Sequence, residues 1–306
     1  MQKVESGIYC KKTIDYFLRL WYDKYVGAAV DAVLFSYWGG SLMAKYAENG
    51  FAAGADYIRF GKGEKVLLIL PGLGDGLKTV RGTAVPMAWM YRGFSKHFTV
   101  YALSRCRFLP EGHTTREMAE DVRRFFGEMG IEKASVLGVS MGGMICQWLA
   151  VDHPETVDKL VLTVTCPCPN PLINECIGQW VAFAKKEDHR GLMDSNVKKM
   201  YSDAYYQKNK AGIPLVARMT KPDSYDRFFI QAQACLTHDA LAQLPRIQAE
   251  TLIVGGEKDH CLGGEPSHQM AALIPGARLH MYEQWGHALY EEAKDFNQVV
   301  LDFLLE

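Results

Sequence analysis

From about residue 50 the chain alternates short runs of consecutive apolar residues with stretches of helical periodicity, and this alternation restricts the fold more than any other feature. Val66–Leu70 is continuously apolar, as a strand covered on both faces must be. Thr99–Leu103, Ser135–Val139, Leu160–Val164 and Thr251–Val254 read the same way. Helical patterns lie between them, over Thr115–Met129 and Met141–Val151. Thr115, with acidic Glu117 in the opening turn, is the expected cap of the first, and Pro154 helps stop the second. Strands that alternate with helices in this way predict an α/β fold, a mostly parallel twisted sheet with helices on both faces.

The alternation stops after Cys166. Residues 167–236 open on Pro167, Pro169 and Pro171 and carry helical stretches at Ile177–Lys186, Leu192–Lys208 and Ser224–Leu236, with no strand of comparable quality. The strand pattern resumes at Thr251. The expected organisation is therefore a core over residues 49–166, an all-helical insertion over 167–236, and the rest of the core over 237–306.

Residues 1–48 precede this pattern and predict a helical extension. Ile14, Phe17, Leu18 and Trp21 fall on one helical face. Val26–Ala44 is largely apolar and 19 residues long, near the length a membrane span needs, but Gly27, Asp31, Gly39 and Gly40 weaken it as a span. We expect no integral span. The extension is read as docking on the body or on a second copy, which makes a homodimer possible; a role at a membrane surface is the alternative.

Composition narrows the function classes. Lys+Arg number 34 against 35 Asp+Glu, a formal charge of −1, so no basic excess points to nucleic acid or to anionic lipid. Apolar residues at 48% and charged residues at 23% exclude disordered, collagen-like and coiled-coil classes. The 8 cysteines include no C-x-x-C pair, and Cys166-Pro167-Cys168 has no zinc-ligand partner at the usual distance, so no metal is expected. Residue 1 onward lacks the order of a secretory signal, and the expectation is a reduced, cytoplasmic protein.

The most informative run is Gly138-Val139-Ser140-Met141-Gly142-Gly143, where a buried strand gives way to a helix. A serine on a sharp strand-to-helix turn is held with its hydroxyl projecting, and the residues two before and two after it must lack side chains for strand and helix to approach. Gly138 and Gly142 stand at those places. The N–H of Met141 then opens the helix and faces developing negative charge.

On these residues the chain resembles the α/β-hydrolase family over about residues 50–306. The resemblance implies a nucleophile–acid–histidine order. Asp259, in Gly255-Gly256-Glu257-Lys258-Asp259 after the strand Thr251–Val254, matches the acid; His287, in Trp285-Gly286-His287, matches the base. Glu257 is the alternative acid, and His260 the alternative base. The loop Leu70-Pro71-Gly72-Leu73-Gly74-Asp75-Gly76 matches the second oxyanion donor, the N–H of Leu73. That loop fits neither a dinucleotide fingerprint, because Leu77 stands where a glycine is needed, nor a phosphate loop, so no cofactor is expected. Two departures stand out: Pro71 replaces the family's usual histidine, and Ser104-Arg105-Cys106 replaces the usual Asp and Arg-Gly.

The insertion matches the family's helical cap. Its aromatic residues, among them Trp180 and Phe183, together with Trp285 of the core, are the expected substrate contacts. The resemblance implies a cofactor-independent serine hydrolase acting on a small or medium acyl compound, most of all a carboxylic ester. Enol-lactone opening, hydrolytic C–C cleavage and a non-catalytic ligand-binding role are the alternatives. Epoxide and haloalkane hydrolysis are disfavoured, since those relatives carry Asp where Ser140 stands.

Overall fold

The computed structural model describes residues 47–306. The extension expected over 1–48 lies outside the described residues except for Ala47 and Glu48, which open the first strand. A single sheet of 8 strands runs in the order β1-β2-β4-β3-β5-β6-β7-β8. The strands are β1 (Ala47–Ala52), β2 (Ala55–Phe60), β3 (Lys65–Leu70), β4 (Phe98–Cys106), β5 (Ala134–Val139), β6 (Val157–Thr163), β7 (Glu250–Gly256) and β8 (Arg278–Tyr282). β1, β2 and β4 pair antiparallel, and every pair from β4 onward is parallel.

The period of two in each strand sorts its side chains between two cores. Leu68, Leu70, Val136, Leu160 and Leu162 face one layer, with Met118, Val122, Phe125 and Phe126 of α2 (Thr115–Met129) and Ile145 and Leu149 of α3 (Met141–Asp152). Leu67, Ile69, Val100, Leu137, Val161 and Val254 face the other, where α1 (Ala84–Met90) supplies Ala84 and Ala88. Leu289 of α10 (Leu289–Glu292), and Phe296, Val300 and Phe303 of α11 (Phe296–Leu305), complete that second layer. Both sheet faces are thus covered, which explains the continuous apolar runs.

Between β6 and β7 lie five helices: α4 (Pro171–Lys185), α5 (His189–Met200), α6 (Asp203–Asn209), α7 (Ile213–Thr220) and α8 (Asp226–Leu236). The long helix expected over 192–208 is two, because Ser202 accepts from the Tyr205 N–H and starts α6 afresh. The cap of α2 is Thr114 rather than Thr115. Its hydroxyl accepts from the Glu117 N–H, and the Glu117 carboxylate accepts from the Thr114 N–H at 2.7 Å. The remaining helix, α9 (Glu265–Leu273), follows β7. Among the described residues no helix is long and apolar enough to cross a membrane.

Candidate active site

Ser140 sits between β5 and α3, at the carboxyl end of the parallel strands. Its φ of 53° and ψ of −118° lie where a side-chain-bearing residue is strained, at a cost of about 1–3 kcal/mol. Two glycines make the turn possible. A Cβ on Gly142 would lie 2.0 Å from the Leu70 carbonyl oxygen, and one on Gly138 would lie 2.5 Å from the Gly143 Cα. The Ser140 N–H is anchored to the Thr163 carbonyl at 2.9 Å, which fixes the elbow to the neighbouring strand.

The chain brings His287 and Asp259 to this serine from 147 and 119 residues away. His287 Nε2 is 3.0 Å from Ser140 Oγ, and its Nδ1 is 2.7 Å from Asp259 Oδ2. Asp259 and His287 are both buried. The other carboxylate oxygen, Oδ1, accepts from the Cys261 and Leu262 N–H groups at 2.7 and 3.0 Å. With Oδ1 satisfied by backbone, Oδ2 is directed at the imidazole. A carboxylate cannot donate, so Nδ1 carries the proton and Nε2 faces the hydroxyl as an acceptor. Glu257 instead meets His268 at 3.1 Å, and His260 takes no place in this line of bonds.

The two expected oxyanion donors, the N–H groups of Met141 and Leu73, belong to residues next to the serine in the chain or in the cavity lining. Met141 is the first residue of α3, and the first N–H groups of a helix have no acceptor within it. Leu73 opens a 3₁₀ turn, Leu73–Gly76, beside the serine: a Cβ on Gly72 would lie 3.3 Å from Ser140 Cβ. Both residues are buried.

The loop carrying Leu73 is held by side chains of β4 and α8. Arg105, buried at the end of β4, lies 3.4 Å from the Asp75 carboxylate. Arg227, on α8, donates to the Asp75 carbonyl at 2.8 Å and to its carboxylate at 2.9 Å. Gln231, one turn further along α8, is 3.4 Å from the same carboxylate oxygen and accepts from Arg105 Nε at 3.3 Å. The departure at 104–106 thus supplies an anchor for the loop in which Pro71 stands.

Two cavities meet at Ser140 and His287. One is an open cleft of about 970 Å³, bounded by the Pro71–Asp75 loop, Met87 and Met90 of α1, Tyr201 and Tyr290. The other is narrower and holds about 20 Å³, between Met144, Ile177, Cys176, Cys261 and Leu262. Trp180 borders both; Phe183 and Trp285 lie outside the residues that line them. Asp259, Cys261 and His287 form the one group among the described residues whose donor atoms, all within 4.8 Å, are spaced for a metal ion. In that group Asp259 and His287 already bond each other. The arrangement suits proton transfer from a hydroxyl through an imidazole oriented by a carboxylate.

A family profile described as the alpha/beta hydrolase fold matches residues 65–185. The chain is 28% identical over 222 residues to a 2-hydroxy-6-oxononadienedioate/2-hydroxy-6-oxononatrienedioate hydrolase of Pseudomonas sp., covering 69% of this chain and 74% of the relative. Among solved structures, the enol-lactonase of Burkholderia xenovorans LB400 matches with a TM-score of 0.71 and 21% identity, over 85% of this chain and 100% of that one. A membrane phospholipase A described as a bacterial virulence factor matches with a TM-score of 0.65 and 19% identity, over 99% of this chain and 98% of its own.

Proposed function

We propose that this chain, which has the α/β-hydrolase fold, is a cofactor-independent serine hydrolase that cleaves carboxylic esters. The observation that carries the proposal is the unbroken line of bonds from Ser140 through His287 to Asp259, at 3.0 and 2.7 Å. Ser140 attacks the ester carbonyl while His287 Nε2 takes its proton. Asp259, held by two backbone donors, keeps the imidazole in the required tautomer and stabilises the imidazolium. The N–H groups of Leu73 and Met141 receive the oxyanion. His287 returns the proton to the alcohol oxygen, the alcohol departs, and a water activated by the same imidazole releases the acid.

The wide cleft beside the serine supports cleavage of an ester into separate fragments over lactone opening. One side of the reacting carbon opens on a wide cleft, through which a separate alcohol leaves, whereas a lactone ring keeps both fragments joined. The phospholipase A among the structural matches is an ester hydrolase by name and aligns over 99% of this chain. The test is hydrolysis of a panel of p-nitrophenyl esters beside an enol-lactone, with wild type and Ser140→Ala. Ester turnover that disappears in the variant is expected. Turnover of the lactone alone overturns the ester reading.

A further inference from the structure

The two cavities at Ser140 differ in volume by more than an order of magnitude, about 20 Å³ against about 970 Å³. The smaller is little more than the ~10–15 Å³ that one water molecule needs. Its walls come from elements that are fixed for other reasons. Met144 stands on α3 one turn beyond the nucleophile, Ile177 and Trp180 on α4, and Cys261 and Leu262 on the loop whose N–H groups hold Asp259. All five are buried, so the pocket cannot widen without moving the site itself. Trp180 is the partition. It is 7% exposed, borders both cavities, and its Nε1–H has no acceptor among the described residues.

We propose that this partition sorts the two halves of an ester, with an acyl group of acetyl size in the small pocket and a larger alcohol in the wide cleft. The inference rests on the serine-hydrolase reading and adds the class of substrate. The order of bond changes decides which half goes where. In the first step the bond from Ser140 Oγ to the acyl carbon forms and the bond from that carbon to the alkoxy oxygen breaks. The serine proton passes through His287 to the alkoxy oxygen. The alcohol must then leave, and a water must come in, while the acyl group stays attached. Water gives a proton to His287, its oxygen bonds the acyl carbon, and Ser140 Oγ regains a proton as the acid is released. The half that remains bound suits the narrow side; the half that departs first needs the wide one. Trp180 stands at the boundary, where its unpaired N–H offers a donor to an oxygen of the bound ester.

The experiment compares kcat/KM for p-nitrophenyl acetate, propionate, butyrate and octanoate, and for acetates of ethanol and 1-naphthol. Wild type, Ile177→Ala, Met144→Ala and Trp180→Phe are measured. In a rigid pocket one methylene too many changes kcat/KM by roughly tenfold or more. Wild type is expected to lose at least about 100-fold from acetate to octanoate and to accept naphthyl acetate at least as well as ethyl acetate. Ile177→Ala and Met144→Ala each raise the butyrate-to-acetate ratio by about tenfold. Trp180→Phe removes the N–H and part of the partition, so it lowers kcat/KM for every ester and raises the butyrate-to-acetate ratio. If octanoate is turned over as well as acetate and Ser140→Ala abolishes that turnover, the sorting is overturned and the serine-hydrolase reading stands. If turnover survives in Ser140→Ala, both fall.

Discussion

Arg105 donates to the carbonyl oxygens of both Pro71 and Gly72, at 2.6 and 2.5 Å, and so clamps the backbone immediately before Leu73. The planar guanidinium reaches two acceptors at once, which an ammonium on a flexible stem does not reproduce. Arg105→Lys is therefore expected to fold and to lower kcat by about 10–100-fold, within the range of losing one oxyanion donor, with KM changing much less. A variant with wild-type kcat would show that the loop holds Leu73 without this clamp.

Removing any member of the Ser140–His287–Asp259 line removes a group that works as part of a unit. Ser140→Ala and His287→Ala should each lower kcat by about 10⁴–10⁶, and Asp259→Asn by about 10⁴. A loss below tenfold at Asp259 would move the acid elsewhere, with Glu257 tested next.

The strain at Ser140 gives a prediction on stability. With φ at 53° and ψ at −118°, glycine fits the position better than any residue with a Cβ. Ser140→Gly should be more stable than Ser140→Ala by about 1–2 kcal/mol in urea unfolding, both being inactive. Equal stability would mean the elbow stores no strain. Gly142→Ala is the converse, since its Cβ would meet the Leu70 carbonyl oxygen at 2.0 Å. It should cost roughly 3 kcal/mol or more.

His238 makes acid stability specific. It is buried between Thr115 Oγ1 at 2.8 Å and Gln147 Oε1 at 3.3 Å, and burial pushes its imidazole down to about 3. The Gln147 amide donates to the Cys166 carbonyl, so its oxygen faces His238 and the neutral Nε2–H form is bound. Unfolded, the same histidine takes a proton near pH 6.5. The unfolded chain thus binds a proton that the folded chain refuses, and stability falls as the pH drops from about 6.5 toward 3. From pH 7 to 4.5, wild type should lose about 2–3 kcal/mol more than His238→Gln. Parallel stability profiles would contradict this.

Much of this architecture is legible in the amino-acid order because its causes are local. β3 to β7 are buried on both faces and so read as unbroken apolar runs. The hairpin β1–β2 is not legible in that way: Glu48, Asn49 and Arg59 face solvent, and its turn rests on Ala53 and Gly54 at positive φ. At the site, Gly138, Ser140 and Gly142 announce themselves because a tight turn demands them within five positions. The anchoring of Asp75 by Arg105 and Arg227 joins residues 30 and 152 positions apart, and no local pattern records it. The same holds for the small pocket, whose wall is assembled from α3, α4, α8 and three separate loops. Trp180 borders the site, whereas Phe183 packs beside Gly191 and the Trp285 backbone accepts from the Lys258 N–H.

The central claim is that His287 and Asp259 make Ser140 a nucleophile. Mass spectrometry of the protein after exposure to a fluorophosphonate tests it most directly. One adduct per chain, on the peptide that contains Ser140, absent in Ser140→Ala and formed far more slowly in His287→Ala, is the predicted result. A folded wild-type protein that gains no adduct, or gains it at another residue, would contradict the account.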